Sequence, residues 1–350
     1  MQTIRAGLVG VTGYTGMELS RLLAGHPCMQ LTLATSRAEA GKRLADIYPF
    51  LMGLPGGDLT IVAPDADAIA ATCDVAFLAV PHGAAMEMAA ALRERGLRVV
   101  DLSADFRLRD VDVYEHWYRT DHTRKDLLPE AVYGLPEFYT DAVKDAGLVA
   151  NPGCYPTSVI LALAAALKHD LVETTGLVID AKSGTSGAGR KASVGTLFCE
   201  VHDSFRAYNL GKHRHTPEIE QELSVLAGHD ITVSFNTHLL PIDRGILSTI
   251  YTQLKKPMTL DEVHSLFTSH WQHSPWVRVL PKGMLPETRH VKGTMFCDIG
   301  LVVDPRTGRL IIVSVIDNLC RGASGQAVAN ANIMFGLPME TGLRLAPLMP

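Results

Sequence analysis

Long apolar runs, paired cysteines, aromatic side chains and an excess of one charge are all scarce in this 350-residue chain. No apolar stretch approaches the ~18 residues of a membrane span, so no membrane partner is expected. The opening MQTIRAGLVGVTGYTG lacks a basic segment followed by a long apolar one, and a cytoplasmic protein is expected. Lys and Arg number 32 against 37 Asp and Glu, a net charge of −5 with no long block of one sign. That argues against the basic face a nucleic-acid binder needs and favours a small-molecule partner. Cys28, Cys73, Cys154, Cys199, Cys297 and Cys320 form no CxxC pair, which excludes a disulfide framework and fits a reducing compartment. Aromatics make up 6%, whereas glycine is plentiful at 30, the texture of α/β enzymes whose backbone approaches a ligand closely. Hydrophobic residues at 47% suffice for a packed core, and the length implies about two domains. Neither an internal repeat nor a low-complexity segment is present.

Short apolar segments at 3–9, 30–34, 75–80 and 99–102 alternate with helical spacing at 17–24 and an alanine-rich stretch reaching about Leu92. Strands alternating with helices predict a doubly wound parallel sheet that takes its ligand at the carboxyl ends of the strands. Residues 105–146 read as polar and irregular. After Asn151 an apolar helix is expected over 158–168. The β-like runs that follow, at 177–181, 231–238, 245–254, 294–303 and 310–316, are longer and more alternating, which predicts an antiparallel or mixed sheet with one face free for a partner subunit. A helix over 323–335 closes the chain. The domain boundary is placed at about Asn151, and the final helix could pack back on the first domain.

Gly10-Val-Thr-Gly13-Tyr-Thr-Gly16 lies between the first strand and first helix, where glycines permit a tight turn and a pyrophosphate can rest on the helix N-terminus. The second strand ends in Ala34-Thr35-Ser36-Arg37, without the carboxylate that would bind a ribose 2′-hydroxyl. Ser36 and Arg37 can instead donate to a 2′-phosphate, which predicts NADP rather than NAD.

Cys154 stands apart from the other cysteines, in a Pro-Gly-Cys-Tyr-Pro turn ahead of an apolar helix, where amides and the helix dipole favour a thiolate nucleophile. Its proton acceptor is sought in Lys212-His213-Arg214-His215-Thr216-Pro217-Glu218, where either imidazole could serve. The same histidines with Cys199 and His202 admit a zinc reading, but zinc ligands normally come as tighter pairs, and no metal is expected. Lys182-Ser-Gly-Thr-Ser-Gly-Ala-Gly-Arg190 and Asp317-Asn318-Leu-Cys-Arg-Gly-Ala-Ser-Gly-Gln326 are small-residue stretches suited to an anion or amide ligand.

Taken in order, GVTGYTG, DLSADFR (101–107), YGLPE (133–137), NPGCYPT (151–157), KSGTSGAGR, HRHTPEI and NLCRGASGQA resemble the N-acetyl-γ-glutamyl-phosphate reductases of arginine biosynthesis across essentially the whole chain. That family is similar in fold to aspartate-semialdehyde dehydrogenase, which implies a division into 1–150 with 318–350 as an NADP-binding Rossmann domain and 151–317 as an α+β catalytic and dimerisation domain. The resemblance implies NADPH-dependent reduction of an acyl phosphate to a semialdehyde through a Cys154 thioester. It makes His215 the acid/base, with His213 less favoured and otherwise near the substrate. Gly10, Thr12, Gly13, Tyr14, Thr15 and Gly16 would hold the pyrophosphate, Ser36 and Arg37 the 2′-phosphate, and Pro81 the cofactor cleft. Ser183, Gly184 and Asn318 would face the nicotinamide, while Arg107 and Asn151 would meet the substrate. Amides near Gly153 and Cys154 would stabilise the developing oxyanion, and a homodimer or homotetramer is implied. A related acyl-phosphate reductase, acting on an aspartyl or carrier-bound substrate, is the alternative enzyme; an NADP-binding redox sensor is the alternative without catalysis.

Overall fold

The computed structural model describes residues 3–349 and divides into two compact units. The first runs as far as Pro152 and is rejoined by Ala323–Leu345; the second comprises Gly153–Gly322 and the chain from Ala346 onward.

Six parallel strands form the first unit's sheet: β1 (Ile4–Val9), β2 (Met29–Thr35), β3 (Val75–Leu78), β4 (Arg98–Asp101), β5 (Ala131–Tyr133) and β6 (Leu148–Ala150). Their order is β2-β1-β3-β4-β6-β5. β3 and β6 are buried at every position, because helices cover both faces of a parallel sheet. The helix Gly325–Met334 has every residue buried. Asn330 ties it in, donating to the Gly134 carbonyl (2.8 Å) and to Asn151 Oδ1 (3.1 Å). A Cβ at Gly134 would lie 2.4 Å from that amide nitrogen, so the glycine is a packing requirement.

The stretch 105–146 is more ordered than its polar text suggests. It holds the helices Val111–Tyr118 and Pro136–Asp145 as well as β5. Asp110 caps the first of these by accepting from the amides of Asp112 and Val113; Tyr114 and Tyr118 are buried, and Val113 and Trp117 pack half-buried beside them, a stripe of only two turns interleaved with charged residues.

In the second unit β7 (Leu177–Ser183), β8 (Arg206–Tyr208), β9 (Val233–Leu239), β10 (Ile246–Gln253), β11 (Val277–Val279), β12 (Cys297–Asp304) and β13 (Arg309–Ile316) form one mixed sheet. The order is β11-β12-β13-β10-β7-β9-β8, with β7/β9 and β11/β12 the parallel pairs. β7 and β10 alternate between buried and half-buried positions. One face packs on the helix Cys154–Lys168, 13 of whose 15 residues are buried, and the other presents Val178, Asp180, Lys182, Leu247, Thr249 and Tyr251 half-exposed. Among the described residues no helix is long and apolar enough to cross a membrane.

Candidate functional site

In the first unit the three glycines of the turn after β1 meet separate demands. Gly10 has φ +90°, and a Cβ there would come within 2.4 Å of the Ala79 carbonyl oxygen. Gly16 faces its own turn, with the Val11 oxygen 2.5 Å from a Cβ. Gly13 has nothing nearer than 3.9 Å, and as N-cap of the helix Tyr14–Ala24 it brings no side chain to the first-turn amides. Around it Thr12, Tyr14 and Thr15 are half-buried. Such an end, positive in its dipole and with no side chain at Gly13 to crowd it, fits the pyrophosphate of a dinucleotide. At the end of β2, Ser36 is buried with its amide on the Val62 carbonyl (3.0 Å), whereas Arg37 is exposed. The next carboxylate, Glu39, is paired with Lys42 at 2.6 Å, so the residues beyond β2 fit a 2′-phosphate better than a bare ribose. Pro81 lies in the exposed loop after β3.

Arg107 and Asn151 are brought together. Arg107 is 6% exposed and its guanidinium donates to the carbonyls of Asn151 (2.7 Å) and Leu102 (2.9 Å). Asn151 is fully buried, donating from Nδ2 to the Ala323 carbonyl (3.1 Å) and accepting from Asn330.

In the second unit the apolar helix begins at Cys154, four residues earlier than its spacing suggests. Pro156 sits in the first turn, where a missing N–H leaves no intrahelical bond unmade, so it permits the helix it seemed to delay. Cys154 is therefore the first residue of a 15-residue helix, half-buried, behind an N-cap, Gly153, that offers no side chain. The helix dipole favours the thiolate there. Gly322 lies against it: a Cβ at 322 would stand 2.6 Å from Cys154 Cβ, so the cysteine rests on bare backbone.

Tyr155 joins the cysteine to the histidines. Its buried ring meets His213 edge-on at 5.3 Å and His215 at 6.1 Å, and its hydroxyl bonds Tyr208 Oη at 2.9 Å. The two imidazoles are 4.9 Å apart, and the His215 amide donates to His213 Nδ1 at 3.1 Å. Burial, and next the charge of Arg214, lower the pKa of His213 to about 4. Near neutral pH His213 is thus an uncharged acceptor holding the turn, and its proton sits on Nε2. His215, the N-cap of the helix Thr216–Ala227, keeps its ring out of that bond.

The low pKa of His213 has a consequence for stability. Between pH 6.5 and about 4 the unfolded chain takes up a proton that the folded chain refuses, so stability falls with pH across that window, by roughly 3 kcal/mol at most. Replacing His213 by Gln should flatten that part of the denaturation profile, and parallel wild-type and variant profiles would contradict it.

Ser183, Gly184 and Asn318 meet in one knot. Asn318 accepts from the Gly245 amide (2.7 Å) and donates to Ser186 Oγ (3.0 Å), and the Gly184 amide donates to the Gly245 carbonyl (2.9 Å). Arg244 grips Asp317 beside it with two bonds of 2.9 and 3.0 Å. Lys182 is neutralised by Asp180 at 2.5 Å. Among the described residues no three His, Cys, Asp or Glu side chains are grouped to hold a metal.

Sequence reasoning missed Glu218. Its carboxylate is 1% exposed and accepts from the Gly153 amide at 2.7 Å, so that amide, expected to face an oxyanion, is directed at Glu218. The HRHTPEI text contains Glu218, but nothing in it announces a partner 65 residues away.

Residues 5–146 match the family described as "Semialdehyde dehydrogenase, NAD binding domain", and residues 154–318 match "Semialdehyde dehydrogenase, dimerisation domain". Aspartate semialdehyde dehydrogenase II from Vibrio cholerae, solved with ASA, shares the fold at a TM-score of 0.72 and 15% identity, covering 96% of this chain and 99% of that one. The Candida albicans enzyme, solved with NADP, does so at 0.69 and 17%, covering 95% and 99%. Much nearer in sequence is N-acetyl-gamma-glutamyl-phosphate reductase of Geobacter sulfurreducens, 53% identical over 348 residues, 99% of this chain and 100% of that protein. The Pelotomaculum thermopropionicum enzyme of the same name is 50% identical over 347 residues, 99% of each. Likeness of that degree from end to end identifies the chain as a member of the N-acetyl-gamma-glutamyl-phosphate reductase family.

Proposed function

We propose that this reductase converts N-acetyl-γ-glutamyl phosphate to N-acetylglutamate 5-semialdehyde with NADPH, through a thioester on Cys154. The observation that carries the reading is Cys154 at the first position of an apolar helix, with Tyr155 touching two imidazoles of unlike character. Cys154 Sγ, relieved of its proton by His215, attacks the acyl carbon; the C–O bond to phosphate breaks and phosphate leaves. NADPH, when bound, supplies a hydride for the thioester carbon. His215 lends its proton to the hemiacetal oxygen as the tetrahedral carbon forms and takes it back as the C–S bond breaks, releasing the aldehyde and the Cys154 thiolate. Glu218, by holding the Gly153 amide, fixes the backbone from which Cys154 projects. Tyr155 and Tyr208 keep their phenolic protons, since burial raises both pKa values, and they act as walls.

The same reading places Arg107 and Asn151 at the substrate's anionic end, and Ser183, Gly184 and Asn318 at the nicotinamide. It also places the half-exposed sheet face of the second unit against another copy of the chain. Phosphate-dependent NADP reduction with N-acetylglutamate semialdehyde tests the substrate; faster turnover of aspartate semialdehyde would transfer the reading to the sister enzyme. Cofactor choice rests on Ser36 and Arg37. Arg37→Asp should lower the preference for NADPH over NADH by about tenfold or more, the worth of a charged hydrogen bond replaced by repulsion. The ratio of KM values for the two nucleotides measures this, and an unchanged ratio would remove Arg37 from the site.

A further inference from the structure

The loop leaving β3, Pro81–Ala84, is exposed at every residue, yet its backbone is tied to a carboxylate with no solvent contact. Asp105 accepts from the Gly83 amide on Oδ1 (2.7 Å), from the Ala85 amide on Oδ2 (3.1 Å) and from the Tyr114 hydroxyl on Oδ1 (2.8 Å). Its own amide donates to Ser103 Oγ (3.1 Å), whose hydroxyl donates in turn to Asp101 Oδ2 (2.7 Å). His122 Nε2 reaches the Asp105 carbonyl at 2.7 Å. From the loop side, His82 Nδ1 accepts from the Ala104 amide (3.0 Å), and its ring stands edge-on to Tyr118, which stacks on Tyr114.

An ionised carboxylate is tolerated in a protein interior only when its oxygens are satisfied, and bonds to a charged acceptor are about twice as strong as neutral ones. Here two of the three donors are the amides of Gly83 and Ala85, so the carboxylate holds the loop's backbone directly. Gly83 at φ +81° shows that this shape is a specific one. Asp101 stands close by: burial, and then the nearness of Asp105, push its pKa up to about 7. The loop sits at the carboxyl end of β3, the edge at which parallel sheets of this kind take their ligand.

We propose that Asp105 is a positioning residue for the cofactor, its buried carboxylate holding the Gly83 and Ala85 amides and thereby the Pro81–Ala84 loop in the shape that receives the nicotinamide nucleotide. This rests on the nucleotide reading of the first unit. The test uses the full chain as wild type, Asp105→Asn and Tyr114→Phe. NADPH affinity is read by fluorescence titration, amide exchange at Gly83 and Ala85 by mass spectrometry without nucleotide, and folding by thermal unfolding. In Asp105→Asn the NADPH Kd should rise about tenfold, the two amides should exchange faster, and KM for the acyl phosphate should stay within about threefold. Tyr114→Phe, which leaves both amide bonds in place, should raise the Kd by about threefold, the worth of one modest hydrogen bond. In Asp105→Asn, unchanged exchange, or faster exchange with an unchanged Kd, overturns the proposal. If Asp105→Asn does not fold, the NADPH Kd of Tyr114→Phe decides, and a Kd equal to that of wild type overturns the proposal. Wild-type protein that fails to bind NADPH overturns the nucleotide reading itself, a different result from a variant that binds as wild type does.

Discussion

Cys154→Ser should abolish phosphate-dependent NADP reduction, lowering kcat on the order of 10⁴-fold or more, because a serine hydroxyl is a far poorer nucleophile than a thiolate and no second nucleophile is needed in this scheme. The change is nearly isosteric at a half-buried position that already leans on Gly322, so the fold should survive it. NADPH affinity, which the proposed reading assigns to the glycine turn, the end of β2 and the Pro81–Ala84 loop, should stay within about threefold of wild type, no more than the worth of one modest hydrogen bond. A kcat within tenfold of wild type would remove Cys154 from the chemistry.

The histidines should separate by a comparable margin. His215→Asn should cost about 10²–10⁴-fold in kcat, the usual range for a lost acid/base. His213→Asn should cost about tenfold, because what it loses is the acceptor that steadies the His215 amide. The physical reason is the environment. A ring whose pKa is lowered to about 4 and whose Nδ1 is engaged is a poor proton carrier at neutral pH. The reverse ranking would make His213 the carrier.

Much of this could be read from residue order. The glycine turn and its flanking strand and helix are local text, although the close approach that requires Gly10 comes from Ala79, beyond β3. The second sheet was legible because alternation in β7 and β10 records directly which face is covered. Cys154 stood out through its neighbours, Gly153 and Pro156, although Pro156 also disguised where the helix begins. What escaped was long-range pairing of polar groups. Glu218 with Gly153, Tyr155 with Tyr208 and Gly322 with Cys154 are separated by tens of residues or more, and their spacing carries no periodic signal. Asp105 was present in the DLSADFR text, but its bonds to Gly83 and Ala85 depend on β3 and β4 lying side by side. Short β5 and β11, three residues each, are fixed by neighbouring strands rather than by their own text.

The covalent intermediate can be observed directly. Enzyme mixed with N-acetyl-γ-glutamyl phosphate in the absence of NADPH, quenched in acid and digested, should release phosphate in proportion to active sites and yield the N-acetylglutamyl adduct on the Cys154 peptide. Adding NADPH before the quench should discharge that adduct as semialdehyde. Phosphate release with no adduct on Cys154, or an adduct that NADPH does not discharge, would contradict the thioester mechanism.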